Sequence, residues 1–86
     1  MAQHQGTISQ VIGPVLDIEF DKDQIPAIYN AIAVAKGDET IIAEVEHQIS
    51  ETQVRCVAMT STQGIKRGMK ATDTGKPISM PVGEKA

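Results

Sequence analysis

The chain is almost without aromatic residues: Phe20 and Tyr29 are the whole complement, and tryptophan is absent. A surface that grips nucleic acid stacks bases on rings and tracks the phosphates with lysine and arginine. With two rings and a net charge of −3, this sequence does not fit that class. Cysteine occurs once, at Cys56, so an internal disulfide is excluded and a cysteine-based zinc site cannot be built from it alone. That usage suits a reducing compartment. Two histidines, His4 and His47, complete a donor set too scattered for the three or four clustered ligands zinc requires. No apolar run approaches the roughly 18–20 residues of a membrane-spanning helix. The opening MAQHQGTIS has neither a basic segment followed by an apolar one nor an arginine-rich amphipathic stretch. A secretory signal or an organelle presequence is therefore not expected in the chain.

Eighty-six residues make one domain with one modest core. Charge is uneven, with acids in excess over residues 1–43 and near balance over residues 44–86. A sustained helical period is also missing, and a period of two takes its place. In VLDIEF, Leu16, Ile18 and Phe20 fall on one face, while Val15, Asp17 and Glu19 fall on the other, as in a half-buried strand. TISQVI precedes it, and Gly13-Pro14 punctuates the pair, predicting two strands around a tight corner.

Residues 21–29, DKDQIPAIY, read as a loop broken by Pro26. Residues 31–35 favour a strand, although AIYNAIAVA could also form a helical turn or two. Lys36-Gly37-Asp38 is a turn signal, after which alternation puts Ile41, Ala43, Val45, His47 and Ile49 together. A hairpin across Ser50-Glu51 leads to QVRCVAM, with Val54, Cys56 and Ala58 inward. Residues 65–72 have no clean period, and a last strand is expected over PISMPV, residues 77–82. Five to seven short strands separated by turn signals predict a small barrel or sandwich. Closure would remove the edges that so short a sheet could not otherwise protect.

Candidate chemistry is thin. TDTGKPISMP contains Gly75-Lys76, and a Walker A loop reads G-x-x-x-x-G-K-[ST]. Here the first glycine slot holds Lys70 and the hydroxyl slot holds Pro77, which offers neither a metal ligand nor a backbone N–H. A phosphate loop is excluded at this position. Asp17 and Glu19 share a face but lack the opposed environments that split an acid–base pair, so a solvated outer face is expected. His47 is expected on the apolar side near the rim of its strand, and His4 in a mobile leader. Cys56 should be a small buried hydrophobe with nothing beside it to lower its pKa. Lys66, Arg67 and Lys70 read as a solvated basic turn. The expectation is no catalytic, cofactor-binding or metal-binding residue in this chain.

Taken in order, GTISQVIGPVLDIEF, IPAIYNAI, VRCVAMTSTQGIKRGM and DTGKPISMPVG are similar to the N-terminal domain of the catalytic beta subunit of rotary (F-type) ATP synthases. VIGPVLDIEF, PAIYNAI and DTGKPISMPVG look like beta rather than the sibling alpha chain, while residues 36–40 and 47–51 match loosely. The resemblance implies an all-β fold, a small closed six-stranded antiparallel β-barrel. It implies a flexible leader over residues 1–5, the barrel over 6–83, and at 84–86 the start of a linker to a P-loop domain that is absent. It implies a structural role: barrels of alpha and beta subunits alternate in a crown at the end of the hexamer far from the membrane. The family's phosphate loop, catalytic glutamate and adenine-contacting aromatics have no matching positions here, so no enzyme activity is expected of this chain alone. Proton-coupled ATP synthesis or hydrolysis with Mg-ATP/ADP would belong to the parent protein. Expected partners are alpha subunits, with no nucleic acid and no direct membrane contact. The location implied is the cytoplasmic side of an energy-transducing membrane, bacterial plasma membrane first. The alternative is a stand-alone small-barrel module binding nucleic acid or protein.

Overall fold

The computed structural model describes residues 4–78. It contains six strands: β1 (His4–Ile12), β2 (Val15–Glu19), β3 (Asn30–Lys36), β4 (Glu39–Gln48), β5 (Gln53–Ala58) and β6 (Lys70–Pro77). They close into a barrel in the order β1-β2-β5-β4-β3-β6, and each neighbouring pair is antiparallel. Among the described residues the single short helical element is a 3-10 turn, Lys22–Gln24, in the loop that crosses from β2 to β3.

Turn chemistry places the corners. Gly13 (φ 55) and Gly37 (φ 59) supply the left-handed backbone of two-residue loops, Gly13-Pro14 between β1 and β2 and Gly37-Asp38 between β3 and β4. The β4–β5 loop is tied by Ser50, whose Oγ accepts the N–H groups of Thr52 and Gln53. Residues 31–35 lie within a strand, and no helix forms there. Entry to β3 passes through a turn in which Asn30 N–H bonds Ala27 C=O and Tyr29 takes φ 75, a position that usually selects glycine or asparagine.

The core is aliphatic. Ile8, Leu16, Ile18, Ile32, Val34, Val45, Val54 and Cys56 are all but fully removed from water, and Phe20, Ile41, Ala43, Ile65 and Ala71 complete the filling. Phe20 follows β2 and lies against Gly6. A methyl group placed on Gly6 would come 2.5 Å from the Glu19 carbonyl and 2.9 Å from the Phe20 ring.

Three irregularities in the ladder correct the sequence expectations. Between Val45↔Cys56 and His47↔Arg55, β4 advances two residues while β5 advances one, which marks a bulge at Glu46. The extra residue reverses the alternation, so His47 is exposed on the outer wall rather than grouped with Ile41, Ala43 and Val45. β1 carries a second bulge at Ser9. In β6, four residues are spent against two of β3 between Ile32↔Asp73 and Asn30↔Pro77.

The sixth strand therefore begins at Lys70, in the stretch without a clean period, and ends at Pro77. Residues 79–82 of the strand expected at 77–82 lie outside the described residues. His4 and Gln5, expected in a flexible leader, are paired with Asp73 and Thr72 in β1.

Candidate functional site: the outer wall of the barrel

Gly75 and Lys76 sit in the β6 bulge. Gly75 takes φ 82, and its N–H donates to the Asp73 carboxylate at 2.9 Å. Asn30 Nδ2 donates to the same oxygen at 3.1 Å, and Asp73 is buried among strand ends. Thr74 Oγ1 donates to Ala31 C=O at 2.8 Å. The backbone N–H that a phosphate cradle would offer is thus already bound to a carboxylate, whose charge would repel a phosphate. The motif is a strand-end clamp.

Asp17 departs most from expectation. It faces outward on β2, as its alternation requires, yet it is only 6% exposed. Its partner across the ladder is Arg55 on β5. Arg55 Nε and Nη2 donate to the two carboxylate oxygens at 2.9 and 3.1 Å, a bidentate fork. The Asp17 carboxylate raises the Arg55 guanidinium above its ordinary value, through the hydrogen bond first and through charge second. Glu19, on the same face, is exposed as expected. The pairing left no mark in the sequence, because residues 17 and 55 meet only once β2 and β5 are known to be neighbours. Outward alternation of both residues was the one available signal.

Cys56 is fully buried, and its thiol is pushed up to about 12, chiefly by burial and then by the charges of Asp17, Glu46 and Asp73. At that value a thiolate nucleophile is absent near neutrality. His4, half-buried at the start of β1, stands across from Asp73, while His47 stands across from Arg55 on the far side of the barrel. Neither joins Cys56 in a cluster. Among the described residues no three His, Cys, Asp or Glu side chains gather where they could hold a metal ion. Lys66 and Arg67 are exposed in the turn before β6, where Met69 Sδ accepts the Lys66 N–H. Glu44 and Glu46 on β4 interact directly; that hydrogen bond, partial burial and mutual repulsion raise Glu44 above the usual carboxylate range.

What the wall offers is aliphatic surface. Ile12, Val15 and Val57 lie opposite one another on β1, β2 and β5, and Ile12 is 55% exposed. Met59, which continues β5 through a hydrogen bond to Ile42 C=O, is also exposed. A groove of about 240 Å³ runs between Ala31, Ile42, Thr74, Lys76, Pro77 and Ile78. A larger cleft of about 500 Å³ at the β3–β4 turn is mostly polar; there Lys36 Nζ is held by Gln63 C=O at 2.7 Å and Glu39 at 3.3 Å.

Residues 8–75 match the family described as ATP synthase alpha/beta family, beta-barrel domain.

Proposed function

The chain belongs to the ATP synthase alpha/beta family, whose beta-barrel domain it carries, and we propose that this barrel is the assembly domain of an F-type catalytic beta subunit. In this reading it packs beside alpha-subunit barrels in the crown of the alternating hexamer. It forms part of a peripheral complex on the cytoplasmic side of an energy-transducing membrane, a bacterial plasma membrane in the first instance. The parent protein couples proton flow to ATP synthesis or hydrolysis with Mg-ATP/ADP. The barrel itself does neither.

The observation that carries the reading is closure. Every strand is paired on both sides, so the cylinder has no soft edge and few ways to deform. A domain with that stiffness suits a fixed ring from which mobile parts hang. The internal use of the Gly75 N–H by Asp73 supports the assignment of nucleotide binding elsewhere. Among beta-like features, VIGPVLDIEF and DTGKPISMPVG favour the beta over the alpha chain.

Calorimetric titration of the chain with MgATP tests the division of labour. No saturable heat is expected. One-site binding at micromolar affinity would overturn the reading.

A further inference from the structure

We propose that residues 60–67 form a latched plug, a strap that lifts from one mouth of the barrel as a unit while the strands stay paired, with Lys36 and Thr62 as its latches. The opening needs no partner subunit, so its test stands apart from that of the assembly reading.

Because neighbouring strands are antiparallel, one mouth collects the ends of β1, β3 and β5 and the starts of β2, β4 and β6. Residues 59–69 cross that mouth between β5 and β6. Both feet of the crossing are fastened by backbone bonds. Met59 N–H donates to Ile42 C=O at 2.8 Å, Gly68 N–H donates to Ile8 C=O at 2.8 Å, and Met69 C=O accepts the Ile8 N–H at 2.9 Å. Between the feet, no backbone–backbone hydrogen bond among the described residues joins 60–67 to a strand.

The middle of the strap is held in another way. Ile65 is the one residue of 60–67 that enters the core, and its neighbours on both sides are polar or glycine. Thr62 Oγ1 donates to Gly13 C=O at 2.7 Å, in the corner between β1 and β2. Lys36 Nζ, at the end of β3, donates to Gln63 C=O at 2.7 Å and lies 3.3 Å from Glu39. The lysine stem passes over Gly64, where a methyl group would stand 3.2 Å from Lys36 Cδ. A side chain rooted in the β3–β4 hairpin thus closes over the strap.

Gly64 and Gly68 both take φ 90, one on each side of Ile65, and these are the points where the chain turns as the plug leaves. Lifting 60–67 breaks two side-chain hydrogen bonds and withdraws one aliphatic side chain, and every strand ladder stays whole. Global unfolding breaks all the ladders. An open state with an intact barrel therefore lies well below the unfolded state in free energy. The cleft of about 500 Å³ has Thr60, Ser61 and Gln63 along one wall, so it is complete only with the strap down.

Native-state hydrogen exchange of the chain, read by NMR at low urea, tests this. The reporter is the Ile65 N–H, which bonds Thr62 C=O within the strap. In wild type its opening constant is expected to exceed that of the β2 and β5 ladder amides by roughly tenfold or more, and not to respond to low urea. Lys36→Met and Thr62→Val are each expected to raise it by roughly two- to tenfold, the worth of one hydrogen bond. Val54→Ala changes the core toward the other mouth, where Val54 pairs with Ile18 and Gln48. It is expected to speed the ladder amides and leave the Ile65 opening constant unchanged.

Equal opening constants for Ile65 and the ladder amides, rising together in Val54→Ala, mean that the strap leaves only with the barrel, and overturn the proposal. An Ile65 opening constant indifferent to both Lys36→Met and Thr62→Val overturns it too, because the strap is then held without its latches.

Discussion

At the scale of single residues, burial decides more than residue type. Cys56 is a thiol by composition and a core aliphatic by position, with its pKa moved from 9.0 to about 12. The sign of the pH effect follows from linkage: a group whose folded pKa is raised stabilises the native state fully below its unfolded pKa and loses that contribution as pH rises toward the folded value. Stability is therefore expected to fall between pH 9 and 12, and the fall should be shallower in Cys56→Ala. Denaturant midpoints across that range check this. Ellman's reagent should find no reactive thiol in the native protein at pH 8 and one in guanidinium. Cys56 was legible from alternation alone, because an inward position in a strand between Val54 and Ala58 leaves it no other environment. Asp17 was not. Its alternation pointed outward correctly, but its burial depends on Arg55, brought alongside by a pairing of strands 38 residues apart.

At the scale of elements, the hairpins were legible and the bulges were not. Gly13-Pro14, Gly37-Asp38 and Ser50-Glu51 announce their corners through backbone freedom and side-chain capping. A bulge announces nothing, since one added residue at Glu46 leaves composition and hydropathy unchanged while reversing the facing of His47. β6 was hidden for a related reason. Lys70–Pro77 has inward positions at Ala71 and Asp73, one small and one charged, so the apolar half of the alternation is missing. Asp73 is admitted to the interior because Asn30 and the Gly75 N–H satisfy it.

Close packing within an element pair gives a sharper prediction. Gly6 on β1 lies so near the Glu19 carbonyl and the Phe20 ring that Gly6→Ala must displace both. A loss of about 1–3 kcal/mol is expected, the usual range for overpacking. Urea denaturation measures it; a neutral or stabilising change would mean that the backbone at Glu19 and the Phe20 ring both yield freely.

At the scale of the whole molecule, closure couples the elements. Any strand that leaves exposes two neighbours, so partial opening gains little and costs two ladders. Native-state hydrogen exchange should accordingly show the ladder amides of β1–β6 sharing one opening free energy, equal to that of global unfolding within about 1 kcal/mol. The loop before β3 and the segment between β5 and β6 should exchange faster. Separate protection classes for two halves of the barrel would argue against a single rigid brace.

The seam of the cylinder joins β1 to β6, the earliest and latest strands among the described residues. A ribosome making this protein releases residues in order, so Gln5, Gly6 and Thr7 must wait for Lys70, Ala71 and Thr72 to clear the exit tunnel. Until then the nascent sheet has two raw margins, and a holding chaperone has a defined interval in which to cover them.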